Sequence, residues 1–305
     1  MTIAVSDDRR VLFPLRLMGA LRDLLVGTLF CLTPVTAVVV LGWLVRRMKA
    51  NVAQRRGQPV ARPGWLLGAR GQGGFVQILF GGLAANIRSG LLATVGLAIL
   101  TLPFTLAWLG AWWAGWENSF NKGYEQAEVG PAVWAAATLL ALPVLAHLPL
   151  ALAHGAVENR FRALFEVQRI NRIARAAGPR LVWLAMLSVF AAVPFFGLRA
   201  VPVFVEEIVP GFSAMSAEEQ GNVAGLFDLL GAAAAFLAAL FLKHRAAVIY
   251  SKAVEVERAR LGWVWVGLAA VIWAALPVMI VVGQFMNYSA VLWLNHPVIL
   301  LPWAG

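Results

Sequence analysis

Long stretches without Asp, Glu, Lys or Arg limit the fold classes that this chain can adopt. Residues 24–45, 89–116 and 129–157 are free of these charges and comprise 22, 28 and 29 residues. Residues 261–305 form a longer stretch of 45. A helix of about 20 apolar residues crosses the roughly 30 Å hydrocarbon core of a bilayer. The sequence therefore predicts an all-α, polytopic helical membrane bundle.

Composition excludes the alternative of two soluble domains in 305 residues. Hydrophobic side chains make up 61% of the chain and charged ones 13%, whereas a soluble domain has about 25% charged residues. Too little polar surface remains to cover two water-facing domains. A single membrane domain over 24–283 is predicted, between a basic cytoplasmic N-terminal segment, 1–23, and a C-terminal outer-interface segment, 284–305.

The basic residues are concentrated in alternate loops. Segments 46–88, 160–180 and 243–260 hold eight, six and five Lys or Arg residues, and the loops between them hold only Lys122 and Arg199. An excess of Lys and Arg marks cytoplasmic loops. The three basic segments are thus predicted to face the cytoplasm of a bacterial inner membrane. The net charge of +10 then indicates orientation and contact with anionic lipid head groups, and we expect no nucleic-acid partner.

This orientation predicts five crossings and leaves a sixth open. The five cover about 90–115, 131–153, 181–204, 222–242 and 261–283. The first apolar segment, 24–45, has basic residues on both flanks, so a full crossing would place four of them outside. A re-entrant helix broken near Pro34 keeps both flanks cytoplasmic, because proline removes a helical hydrogen bond. A spanning helix is the alternative, since 22 residues reach across.

Amphipathic patterns predict interfacial helices on the cytoplasmic face. One covers 157–178 and a second covers 243–260, while the glycine-rich stretch 71–87 is expected to form an interfacial helix before the next span. These helices are expected to rest on lipid head groups, and docking of a soluble partner is the alternative. The basic residues expected to face lipid are Arg46, Arg47, Arg160, Arg162, Arg169, Arg172, Lys243 and Arg245.

Two motifs resemble a known family. The run Gly42-Trp43-Leu44-Val45-Arg46-Arg47 is followed by Gly57 and by Pro63-Gly64-Trp65, and 158–165 reads Glu-Asn-Arg-Phe-Arg-Ala-Leu-Phe. Together they resemble the domain-of-unknown-function family "forty-thirteen" of prokaryotic multi-pass membrane proteins, over about residues 10–200. The resemblance implies a helical membrane fold and no assigned activity.

Asp228 and Arg199 are the ionisable residues predicted inside the membrane. Asp228 lies about two turns into the span 222–242, and Arg199 lies near the outer end of 181–204, so the two share a depth. An intramembrane charge is costly unless it is paired or hydrated. A structural ion pair is the first interpretation, and a proton or substrate relay is the second.

His147, His154 and His244 are the remaining candidates for ligands. His147 and His154 are seven residues apart on one helix face, and His154 and His244 both lie at predicted cytoplasmic helix ends. No cysteine pair or carboxylate cluster accompanies them, so neither a metal nor another cofactor is expected.

These observations favour a non-enzymatic subunit or scaffold whose basic cytoplasmic face contacts anionic lipid or a protein partner. No set of acids, bases or ligands converges, which places a membrane enzyme behind the other classes. The alternative function is a small transporter or permease component that uses the Asp228 and Arg199 pair.

Overall fold

The structure is a computed structural model that describes residues 8–68, 75–116, 129–256, 261–276, 278–279 and 301–302. These residues form helices and no strand, which confirms the all-α prediction for this part of the chain. The α-helices are α1 (Asp8–Phe30), α2 (Pro34–Arg55), α3 (Phe75–Trp116), α4 (Val129–Glu158), α5 (Val167–Ala177), α6 (Pro179–Ala200), α7 (Val205–Ile208), α8 (Ala217–Ala253) and α9 (Gly262–Trp273). Of the two predicted end segments, 1–23 lies partly outside the described residues and 284–305 lies almost wholly outside them.

Three helices contain stretches long and apolar enough to cross a membrane: Val76–Ala107, Thr138–Glu158 and Ala217–Ala253. A fourth candidate is the pair Val167–Ala177 and Pro179–Phe195, bent by 93°. Helix α9 has 12 residues, about 18 Å at 1.5 Å per residue, which is shorter than the hydrocarbon core. The described residues thus provide three to four candidate spans, where the sequence predicts five to six.

Helices α1 and α2 are separated by a break at the predicted position. The amide of Thr36 donates a hydrogen bond to the Thr33 hydroxyl at 3.3 Å, which caps α2. Pro34 occupies the first helical position, where no amide hydrogen is needed. The predicted break near Pro34 is confirmed, and the choice between a re-entrant and a spanning segment stays a prediction.

Helices α3 and α8 continue beyond the predicted span boundaries. They comprise 42 and 37 residues, or about 63 and 55 Å. The described part of 71–87 belongs to α3, and 243–253 continues α8, so the prediction of separate interfacial helices there is wrong. Residues 243–253 contain neither proline nor glycine, so nothing in that stretch ends the helix.

The predicted amphipathic helix over 157–178 is divided into two parts. Helix α4 ends at Glu158, Asn159 has a left-handed φ of 54°, and a 3-10 helix at Phe161–Phe165 precedes α5 at Val167. A left-handed residue ends an α-helix, so the prediction of one continuous helix is wrong. The apolar side of α5 is buried against α4, α8 and α9 rather than turned to lipid.

The three basic segments meet at one end of the helices, which we call the basic end. The Asn51 amide of α2 lies 3.0 Å from His244 Nδ1 of α8. His154 near the end of α4 lies 2.9 Å from the Tyr250 hydroxyl of α8. The core below them is built from small residues as well as large ones, with Ala235 and Ala239 of α8 fully buried. Small side chains allow helices in a membrane to approach closely.

Candidate functional site

A cavity of about 80 Å³ lies at the basic end between α2, α3, α4 and the 3-10 helix, and we call it the basic pocket. Its charged lining residues are Arg46, Lys49 and Arg160, and Ser89 and Asn159 add polar groups. No acidic side chain is among the described residues that line it. A water molecule needs roughly 10–15 Å³ of such volume. The basic pocket therefore has room for an anionic group with its water.

Local helix geometry places the three cations around this cavity. Arg46 and Lys49 are three residues apart on α2 and lie on the same face. The left-handed turn at Asn159 leads the chain back over the end of α4. Gly155 permits this return, because a Cβ there would lie 2.7 Å from the Leu164 side chain. Arg160, the residue after Asn159, consequently lines the cavity together with Arg46 and Lys49 of α2.

Arg46 is held by a buried asparagine. Its Nη1 donates hydrogen bonds to the Gly82 carbonyl at 3.1 Å and to Asn86 Oδ1 at 2.6 Å. Asn86 is fully buried, and its amide donates to the carbonyls of Gly64 and Trp65 at 3.2 and 2.9 Å. Each polar atom of this buried side chain is thereby satisfied. These hydrogen bonds hold the Arg46 side chain in one position, so it does not rotate freely.

A tryptophan pair fixes the loop after α2. The rings of Trp43 and Trp65 stack with centroids 4.2 Å apart. Their indole N–H groups donate to the Pro63 carbonyl and to Asp23 Oδ1, each at 3.1 Å. Arg47 pairs with Asp23 at 3.3 Å and lies 4.8 Å from the centre of the Trp43 ring. The motif residues that carry the family resemblance thus have a structural role, and the prediction that Arg47 faces lipid stays a prediction.

A buried histidine lies next to the basic pocket. His154 is fully buried; its Nε2 is 2.9 Å from Glu166 Oε2, and its Nδ1 is 2.9 Å from the Tyr250 hydroxyl. An ionised carboxylate only accepts hydrogen bonds, so Nε2 carries the donated hydrogen. In the neutral ring Nδ1 then accepts from Tyr250. The imidazole joins α4, the start of α5 and α8.

Glu166 connects this histidine to the basic pocket. Its carboxylate pairs with Arg160 at 3.1 Å and with Arg169 at 3.7 Å, and both arginines also pair with Glu158 at 3.2 Å. The pKa of the Glu166 carboxyl lies below its ordinary value, because His154 donates a hydrogen bond to it and the two arginines add positive charge. Arg160 is oriented by these pairs while it lines the pocket.

The three predicted histidines have separate partners. His147 contacts the Pro143 carbonyl at 2.6 Å and Asn171 Oδ1 at 3.3 Å, while His154 and His244 bond as described above. The structure therefore does not bring them to one site. No group of three His, Cys, Asp or Glu side chains that could hold a metal occurs in the described part of the chain.

Of the predicted intramembrane pair Asp228 and Arg199, only the Asp228 side chain belongs to the described part of the structure. Asp228 is exposed on α8. Arg199 lies in the last turn of α6, and its side chain lies outside the described part of the structure. The ion pair, and the transport function that depends on it, therefore remain predictions.

The remaining basic residues divide by exposure. The exposed ones are Arg160, Arg162, Arg169, Arg172 and Arg245, whereas Arg46 and Arg47 are half-buried. Arg245 lies 5.1 Å from the centre of the Phe241 ring. Lys243 is only 6% exposed, so the prediction that it faces lipid is wrong. Its position on α8 shares a face with Ala246, Ala247 and Tyr250, all of which are buried.

Sequence reasoning missed several residues of this site, namely Asp23, Asn86, Glu166 as a partner of His154, and Tyr250. Asn86 offers one local signal, because it is the only amide side chain in the apolar stretch 78–87 before Arg88. Tyr250 offers none, since its partner His154 is 96 residues away.

No protein family, functionally described protein or solved structure that was compared matches this chain. The resemblance to the "forty-thirteen" family therefore stays a prediction, and the function has to be argued from the site.

Proposed function

We propose that the protein is a non-enzymatic subunit or scaffold of a bacterial inner membrane, and that its basic pocket binds the phosphate head group of an anionic lipid on the cytoplasmic side. The observation that carries this proposal is the charge of the pocket. Arg46, Lys49 and Arg160 line one cavity, and no acidic side chain is among its described lining residues, although Arg160 also pairs with Glu158 and Glu166 outside the lining. Basic pockets between membrane helices suit anionic head groups.

Preorganisation supports an anion as the ligand. Asn86 and the Gly82 carbonyl orient Arg46, and Glu166 orients Arg160. Arginine donates two parallel hydrogen bonds to phosphate oxygens, and Lys49 adds an exposed point charge. Because two cations are already held, little side-chain freedom is lost when the anion binds.

The surface beside the pocket suits an acyl chain. Leu92 lines the pocket and is 44% exposed, and Leu91 and Val95 of α3 are 52% and 50% exposed. These side chains continue from the cavity along α3 within the candidate span Val76–Ala107. A ligand with an anionic head and apolar tails would contact both surfaces at once.

Lipid binding by charge-matched variants tests this proposal. The pocket variant combines Lys49→Gln with Arg160→Gln, and the control combines Lys252→Gln with Arg172→Gln, two exposed residues of the basic end that do not line the pocket. Each variant loses two positive charges. Short-chain phosphatidylglycerol is titrated into the purified protein in neutral detergent, with phosphatidylcholine as the uncharged comparison.

The pocket variant should bind phosphatidylglycerol about 30-fold more weakly than wild type, since each cation near a lipid surface contributes about 1 kcal/mol. The control variant should bind like wild type. Equal losses in the two variants would mean that the overall charge attracts the lipid and that the pocket does not. Equal affinity of the wild type for both lipids would also refute the proposal.

A further inference from the structure

The three cations that line the basic pocket differ in how their charge is balanced. Arg46 donates its hydrogen bonds to two neutral groups, the Gly82 carbonyl and Asn86 Oδ1. Lys49 is exposed and takes part in none of the ion pairs among the described residues. Arg160 is the lining cation that pairs with carboxylates. Two of the three positive charges in the lining therefore have no acidic partner in the described structure.

The ion pairs outside the pocket balance one another. Arg160 and Arg169 pair with Glu158 and Glu166 at distances of 3.1 to 3.7 Å. These two arginines and two carboxylates, together with a neutral His154, carry no net charge. The pocket and this cluster thus retain two positive charges, those of the two lining cations without an acidic partner. Opposite charges attract most strongly where water is partly excluded, so a ligand with two negative charges suits this site better than a ligand with one.

Phosphate esters differ in charge and in the number of terminal oxygens. A phosphomonoester carries a charge of about −1.5 to −2 at pH 7 and has three strong acceptor oxygens. A phosphodiester carries a single negative charge and has two such oxygens. Three cations line the cavity, so each can donate a charge-assisted hydrogen bond to its own terminal oxygen of a monoester. A diester would leave one cation without an oxygen.

The size of the basic pocket also favours a small head group. Its volume is about 80 Å³. At roughly 10–15 Å³ for each water-sized group, this volume holds about five to eight of them. One phosphate group with its four oxygens fits, together with a little water. The second glycerol of phosphatidylglycerol, or the second phosphate of cardiolipin, would lie outside the cavity and gain no contact there.

We propose that the basic pocket selects a phosphomonoester head group and that its preferred ligand is phosphatidic acid, not a phosphodiester lipid. This inference rests on the proposed function, because it takes the ligand to be an anionic lipid. Arg46, Lys49 and Arg160 each bind one terminal oxygen of the phosphate. The acyl chains contact the exposed apolar side chains of α3 beside the pocket.

A comparison of lipids tests the proposal. Short-chain phosphatidic acid, phosphatidylglycerol and cardiolipin are titrated by calorimetry into the purified full-length protein in neutral detergent. The pH is 8, because the second ionisation of a phosphomonoester has a pKa of about 6. Cardiolipin supplies two negative charges without a monoester, and glycerol 3-phosphate supplies the monoester without acyl chains. The variant is Lys49→Gln, and the matched control is Lys252→Gln, an exposed lysine of the basic end that does not line the pocket.

Wild type should bind phosphatidic acid about fivefold more tightly than phosphatidylglycerol, since one additional contact between a cation and an anionic lipid contributes about that factor. Lys49→Gln should lose most of this preference, because two cations then remain for the terminal oxygens. Lys252→Gln should keep the wild-type ratio. The ratio of the two affinities is measured within each variant, so a smaller folded fraction does not change it.

Three results would overturn the preference for a phosphomonoester. They are equal affinity of wild type for phosphatidic acid and phosphatidylglycerol, binding of cardiolipin as tightly as phosphatidic acid, and an unchanged ratio in Lys49→Gln. Each of them would leave intact the proposed binding of an anionic lipid. Binding of glycerol 3-phosphate as tightly as phosphatidic acid would instead refute the lipid as ligand, and it would assign the pocket to a soluble phosphomonoester.

Discussion

The crossing of α2 and α3 depends on Gly42, and the substitution Gly42→Ala tests it. A Cβ at this position would overlap the Asn86 carbonyl oxygen and lie 2.6 Å from the Gly90 amide nitrogen. Both atoms belong to the backbone of α3, so no side-chain rotation can make room. The two helices would have to separate, and Asn86, which holds Arg46 of the basic pocket, would move with α3.

The expected change in stability combines two opposing effects. Overpacking typically destabilises a protein by about 1–3 kcal/mol, and contact with backbone belongs at the upper end of that range. Replacing a helical glycine by alanine contributes about 1 kcal/mol in the opposite direction. The net loss is about 2 kcal/mol, which corresponds to a decrease in melting temperature of roughly 3 °C for a chain of 305 residues.

The single cysteine of the chain provides the assay. Cys31 is fully buried beside the tryptophan pair, so a thiol-reactive fluorophore labels it when this region opens. Labelling is followed during a temperature ramp of the protein in detergent. The control is Gly225→Ala in α8, where an added Cβ meets nothing within 4 Å. That variant should melt at or slightly above the wild-type temperature.

Melting of Gly42→Ala at or above the wild-type temperature would refute the close helix crossing. If the reasoning is correct, Gly42→Ala should also bind phosphatidylglycerol more weakly than Gly225→Ala, since the substitution displaces the residue that orients Arg46.

The remaining predictions concern the buried polar groups near the basic pocket. Asn86→Leu leaves two backbone carbonyls without their donor and should lower stability by about 3 kcal/mol in the same melting assay. The control Asn222→Leu, on the exposed surface of α8, should change stability by less than about 0.5 kcal/mol. Equal losses of stability in Asn86→Leu and Asn222→Leu would contradict the role of Asn86. Glu166 has a lowered pKa, so its ionised form stabilises the fold above its ordinary pKa, and this contribution disappears as pH falls through the lowered value. Glu166→Gln should therefore have a lower melting temperature than wild type at pH 7, and this difference in melting temperature should shrink below about pH 4. The control is the substitution of an exposed residue, Glu255→Gln. A difference between Glu166→Gln and wild type that does not depend on pH would refute the argument.

Much of the fold was predictable because its causes are local. Uncharged stretches of span length indicate helices, and the break at Pro34 follows from the missing amide hydrogen of proline. The error at 157–178 has a local cause as well, namely the left-handed conformation of Asn159. Asparagine adopts this conformation more readily than most residues, but the sequence does not indicate which asparagine will do so.

The candidate site was less predictable because its contacts join distant parts of the chain. The composition of the three basic segments indicates a basic face, and the structure places them at one end of the helices. Which cations line a cavity depends on how α2, α3 and α4 cross. That crossing is set by contacts such as Gly42 against Asn86, which are separated by 44 positions in the chain.

The sequence by itself determined that this protein is helical and strongly apolar and that its basic residues fall into three segments, since these are properties of composition and spacing. The tertiary structure decided which of those residues point inward. Arg46 is bound by a buried asparagine, His154 joins Glu166 and Tyr250, and Lys243 lies in an apolar cavity. The physical reason is that a helix presents its residues to all sides, and only its neighbours in the bundle determine which side is buried.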